Sequence, residues 1–196
     1  MPELGAALRS DPDGAVREMT AWALAEIGDA SAVDALAVAV RNDADASVRL
    51  TATWALGQLG AAAAVATLDQ ALSDRSVEVR TRAAWALGTI GPSNAPAPLV
   101  AALRDPSAAV RQEAAWALGT IGDAQAAGPL GLVLGDSDLA VRKTAIWALG
   151  HTECDAAQQA LIKALQDPDA TLRAQAARAL AGGGPDPWPQ PMPIVR

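Results

Sequence analysis

Among the 196 residues, the one group of side chains dense enough for covalent or metal chemistry is His151, Glu153 and Cys154. A metal ion would need three or four ligands, yet the sequence holds a single His and a single Cys. A thiolate nucleophile would need an imidazole base facing it, and one helical turn between residues 151 and 154 can bring the two near. An irregular turn with a surface His and a semi-buried Cys is the commoner arrangement, and it is the one expected here. One cysteine also excludes a disulfide framework. The expectation is no catalytic residue, no metal and no cofactor.

The charged residues recur instead of clustering. Asp11, Asp43, Asp74, Asp105, Asp136 and Asp167 return every 31 or 32 residues, as do Arg17, Arg49, Arg80, Arg111, Arg142 and Arg173. Fifteen Lys and Arg against 22 Asp and Glu leave a net charge of −7. That balance opposes binding to nucleic acid or to an anionic membrane, since both need clustered cations. No uncharged apolar run reaches the roughly 18 residues of a spanning helix. The opening MPELGAALRSDPDG has no basic stretch followed by an apolar core, so it is not a secretory signal. A cytoplasmic location is expected.

Six tryptophans supply every aromatic ring, because Phe and Tyr are absent. Trp22, Trp54, Trp85, Trp116 and Trp147 are separated by 32, 31, 31 and 31 residues. A period near 31 marks a stacked repeat, and the repeat is the unit of folding.

The elements that position these residues can be read from one unit, Arg104 to Leu134. Val110, Ala114, Ala117, Leu118 and Ile121 form the stripe of an amphipathic helix. Asp105-Pro106 supplies a capping acid and a proline tolerated at the start, and Gly122 stops the helix. Asp123 is placed to cap a second helix, whose apolar face is Leu130, Val133 and Leu134. Each unit is a helix–turn–helix hairpin whose apolar face stays open until the next hairpin covers it.

On the helical wheel of this unit, at about 100° per residue, Trp116 falls well off the core stripe. It lies beside the polar Gln112, Glu113 and Thr120. Two roles compete for the column: volume filler between repeats, or packing combined with a partly exposed binding face. The residues around it vary: Glu18/Met19, Leu50/Thr51, Thr81/Arg82, Gln112/Glu113 and Lys143/Thr144 before each Trp, and Glu26, Gln58, Thr89, Thr120 and His151 after. Exposed indoles suit extended partners with flat or ring-like groups, and the acidic balance makes peptide, especially Pro-rich peptide, the best class. The candidate binding residues are Trp22, Trp54, Trp85, Trp116, Trp147, Arg82, Glu113, Lys143 and His151.

The pattern D-x-x-x-x-V-R-x-x-A-A-W-A-L-G-x-I-G resembles the short HEAT repeat of the phycobilisome-lyase type, which also underlies consensus-designed helical repeat libraries. The resemblance covers about residues 1–181. It implies an all-α fold, a right-handed solenoid of about six HEAT-like hairpins, with the Trp face lining a concave groove. It also implies a structural ladder of charge-assisted hydrogen bonds, in which Asp74, Asp105, Asp136 and Asp167 match the acid. Arg80, Arg111, Arg142 and Arg173 match the base. The same repeat serves lyases, hydroxylases, scaffolds and engineered binders. One His is too few for the iron-holding His-Glu pairs of deoxyhypusine hydroxylase. The acidic composition opposes HEAT-like DNA glycosylases.

Residues 182–196, GGGPDPWPQPMPIVR, read as a flexible Gly/Pro-rich tail biased to polyproline II and itself ligand-like. Both ends of the array are half-units: a lone second helix at Met1–Arg9 and a lone first helix at Ala170–Ala181. Weak end-to-end self-association is expected from them. The expected function is a non-catalytic protein- or peptide-binding scaffold using a concave, Trp-lined face. The alternatives are a structural or designed solenoid without ligand, or a bilin-lyase-like protein that presents a pigment.

Overall fold

The computed structural model describes residues 2–182, so the expectations for the tail lie, past Gly182, outside the described residues. α1 (Pro2–Ser10) stands alone at the start. Five hairpins follow: α2 (Gly14–Ile27) with α3 (Val33–Asn42), α4 (Ala46–Leu59) with α5 (Val65–Ala71), and α6 (Val77–Ile90) with α7 (Ala97–Ala102). Then come α8 (Ala108–Ile121) with α9 (Ala127–Val133), and α10 (Leu139–Gly150) with α11 (Asp155–Ala164). α12 (Ala170–Leu180) is a single helix again. The described residues contain no strand, and the architecture is an all-α solenoid.

Local chemistry sets the hairpin boundaries. Asp45, Asp138 and Asp169 cap α4, α10 and α12 by accepting the amides of Ser47, Ala140 and Thr171. Helices α2, α4, α6 and α8 stop after 14 residues at Gly28, Gly60, Gly91 and Gly122, whose backbones are left-handed. The fourth unit departs from expectation at its start. Its helix begins at Ala108 after Ser107, not at the Asp105-Pro106 pair. The Asp105 carboxylate is already held by the Ser107 amide and the Arg80 guanidinium, so it cannot cap. Asp123 likewise caps a short 3-10 turn, Ala124–Ala126, that precedes α9.

Each first helix packs on the second helix that precedes it in the chain, as α2 does on α1 and α4 on α3, and on the first helices of the neighbouring units. Val48, Val79, Val110 and Val141, with Leu56, Leu87, Leu118 and Leu149, run through the core, each at most 1% exposed. Fully burying such a side chain stabilises by roughly 1.5–3 kcal/mol, and here the covering surface comes from the adjacent unit. None of the described helices is long and apolar enough to cross a membrane.

Ion pairs cross the first four junctions. Arg17 meets Asp43, Arg49 meets Asp74, Arg80 meets Asp105 and Arg111 meets Asp136, with Nε 2.7–2.8 Å from the carboxylate. In each, Nη2 reaches the other oxygen at 2.8–3.0 Å, so the fork is bidentate. Nη1 turns back to the carbonyl of the loop Asp in the guanidinium's own unit. Arg17 beside Asp43, and Arg111 beside Asp136, hold those two carboxyls below the usual range.

The set Asp74, Asp105, Asp136, Asp167, Arg80, Arg111, Arg142 and Arg173 is only partly assembled. Asp74 goes to Arg49, whereas Arg142, Asp167 and Arg173 make no ion pair among the described residues. The turn before α11 explains the open rung. Glu153 replaces the stop glycine, and α10 ends after 12 residues where the first helices before it run to 14. Asp167, carried on that altered hairpin, does not come opposite the Arg142 fork.

Candidate binding face

Trp22, Trp54, Trp116 and Trp147 are half-buried, and Trp85 is 9% exposed. The indoles neither stand free in solvent nor sit in the aliphatic core. Cζ3 of Trp85, Trp116 and Trp147 rests over Gly57, Gly88 and Gly119 of the preceding unit. A β-carbon on any of these glycines would lie only 2.6–2.7 Å from the ring. Each Trp is therefore seated across a junction, with its remaining edge at the surface. The sequence reading misses these seats. The available signal was a glycine three residues after Trp54, Trp85 and Trp116, inside a helix where Gly costs about 1 kcal/mol against Ala.

The residues framing the column form a mixed polar rim. Thr51 Oγ1 donates to Glu18 across the first junction at 3.3 Å. Thr89 and Thr120, both exposed, donate to the carbonyls of Trp85 and Trp116 at 3.0 Å. The Arg82 guanidinium lies over the Trp85 ring, 5.2 Å from its centroid, in a cation–π contact. Lys143 is half-buried one turn before Trp147. His151 is exposed and stacked on Trp147, with ring centroids 4.3 Å apart and Nδ1 2.9 Å from the Trp147 carbonyl. Cys154 is half-buried at the start of α11, and Glu153 is exposed. Among the described residues, no three potential ligands converge on a metal position.

Glu113 is the electrostatic exception. Burial pushes its carboxyl up to about 7, against the opposing pull of Arg82. Burial also lowers the Arg82 value, and the two form no ion pair among the described residues. A proton held to higher pH in the folded chain than in the unfolded one makes stability fall as pH rises from the unfolded value, 4.5, through about 7. Glu113→Gln is therefore expected to stabilise at pH 8 by about 1 kcal/mol, a figure reduced from the full shift for partial exposure. It should change nothing at pH 4. Thermal melts at the two pH values check this, and an equal shift at both would refute it.

No curated protein sequence matches the chain. Among solved structures, the complex of CpcE and CpcF of phycocyanin lyase from Nostoc sp. PCC7120 is 28% identical, with a TM-score of 0.69 over 91% of this chain and 75% of that one. An engineered protein is 26% identical, with a TM-score of 0.64 over 94% of this chain and 98% of its own. A designed armadillo repeat protein in complex with the peptide (KR)4 shares the fold at 24% identity, TM-score 0.67, over 93% and 99%. The family described as HEAT repeats matches residues 1–88, 65–131 and 129–184, which together span the described solenoid. The chain belongs to the HEAT-repeat family.

Proposed function

We propose that the chain is a non-catalytic, cytoplasmic scaffold whose solenoid, residues 1–181, binds an extended peptide along the indole edges of its first helices. The observation that carries this is the column itself: half-buried rings fixed in register, each rimmed by side chains that differ from unit to unit. The first helices are mostly longer and pack more closely together than the second helices, which favours a curve with the indoles inside. Arg82, Glu113 and Lys143 follow one another along three successive units, so above about pH 7 the column alternates in sign and would select a ligand of opposite order. Partners are protein: a peptide, Pro-rich by preference, and a second copy of the chain at the ends of the stack. The peptide-bound designed repeat protein supports the class through fold alone, and the two-subunit lyase complex supports a protein partner.

A labelled peptide of residues 185–193, PDPWPQPMP, tests the groove. Saturable binding in the micromolar range is expected. Thr89→Arg, an exposed position beside Trp85, should weaken it at least about tenfold while leaving the melt unchanged. Absence of saturable binding, or binding indifferent to Thr89→Arg, would remove the groove from consideration. The likeness to phycocyanin lyase favours a second reading, presentation of a pigment to a partner protein. That role would appear as visible absorbance retained by the chain after incubation with bilin.

A further inference from the structure

The two ends of the solenoid are complementary surfaces. On α2, Val16, Met19 and Ile27 are 41%, 56% and 54% exposed. One unit later, Val48 and Thr51 at the positions of Val16 and Met19 are 0% and 4% exposed, because the preceding first helix covers them. A shallow apolar groove lined by Leu4, Ala15, Val16, Met19, Thr20 and Ala23 marks the uncovered face. At the other end, α12 turns Ala174, Ala177 and Ala181 outward. Ala84 and Ala115, which occupy the position of Ala177 in earlier units, are fully buried by the next first helix.

The polar groups match as well. The Asp11 carboxylate accepts only the Asp13 amide among the described residues, whereas Asp43, Asp74, Asp105 and Asp136 each also hold an Arg fork from the unit before. Arg173 makes the Nη1 contacts to its own loop, the carbonyls of Asp167 and Pro168, as Arg111 does to Asp105 and Pro106. Its Nε and Nη2, the atoms that grip the next acid at the first four junctions, find no acceptor among the described residues. One end lacks an Arg, and the other lacks an Asp. In helical terms, α2 packs on α1 and α12 on α11 as in every unit, and what each end lacks is a neighbouring first helix on its outer side among the described residues.

We infer that copies of the chain stack head to tail, with α12 of one copy closing on α1 and α2 of the next, and Arg173 taking the Asp11 carboxylate of that next copy. The joint sets first helix on first helix and an Arg fork on a loop Asp, a contact that the chain makes within itself at four successive junctions. This rests on the reading that copies associate and is independent of peptide binding in the groove.

A head-to-tail joint leaves a free end at every step, so the assembly is open. Sedimentation velocity on the full chain should show mass rising with concentration without a plateau at the dimer. Met19→Glu blocks one end and Arg173→Glu the other, and each alone should weaken association at least about tenfold. Ala177→Glu serves as a second block on α12 if the Arg173 change frays the helix. An equimolar mixture of the two end-blocked variants retains one intact pair of ends, so it should give dimers and nothing larger. A wild-type chain that stays monomeric would overturn the inference. So would association that the end variants do not affect, or a mixture that remains monomeric. Affinity for the PDPWPQPMP peptide, measured on the same samples, should not move with the end variants, which separates failure of the joint from failure of the groove.

Discussion

Replacing Arg49 by alanine is expected to cost the solenoid about 3–5 kcal/mol, the range for removing one partner from a buried ion pair. Arg49 is 4% exposed and Asp74 12%, the most enclosed guanidinium among the rungs. Truncation removes both bonds to the carboxylate and those to the Asp43 and Ala44 carbonyls, leaving Asp74 with the Ser76 amide alone. Most of the loss comes from the stranded acid, not from the attraction forgone. Arg142 supplies the internal comparison. It occupies the same place in its unit but bonds only loop carbonyls, so Arg142→Ala should cost about 1–2 kcal/mol. Urea denaturation of the two variants decides the matter. A loss at Arg49 no larger than at Arg142 would mean that the rungs contribute little.

Gly119→Ala should destabilise by about 1–3 kcal/mol, although helix propensity alone favours Ala by about 1 kcal/mol. Packing wins because of what the new methyl meets. It would lie 2.6 Å from Cα of Ala148 and 2.6 Å from Cζ3 of Trp147. A backbone atom cannot rotate aside, so α8 and α10 must separate, and the indole loses its seat with them. Gly128 in α9 provides the opposite sign. Nothing lies within 4 Å of a β-carbon there, so Gly128→Ala should gain about 0.5–1 kcal/mol. Calorimetric melts of both variants read the two signs. A Gly119→Ala chain that melts above wild type would show the seat to be soft.

Much of the architecture was legible because the stack repeats its own evidence. Periodicity in Trp, Asp and Arg located the units, and the apolar stripe from Val110 to Ile121 located the first helices. What escaped was whatever depends on the relation between units. Whether an indole at the edge of a stripe is buried depends on the residue beneath it, and that residue sits about 28 positions earlier in the chain. The same holds for the ladder: matching residue types at Arg142 and Asp167 could not reveal that an altered turn, Gly150 to Cys154, moves the acid away. The shift at Glu113 was invisible for a related reason, since it comes from burial within the assembled stack, against the opposing pull of Arg82 on the first helix before.

The seat and the rung have a shared geometry whose consequence concerns how such a chain can change length. Every interior unit presents a ring and an acid to the unit before it, and a glycine and a guanidinium to the unit after it. The two sides of a unit are thus a plug and a socket of one standard. Excising residues 105–135 would bring Asp136 opposite Arg80 and Trp147 over Gly88, the partners their counterparts already have. Whole units can therefore be duplicated or deleted without inventing a new interface, and the array is free to change length in steps of one unit. The standard lapses at its margins, where Ala25 stands in place of the first glycine, Arg142 grips no acid, and Arg178 stands in place of the last indole.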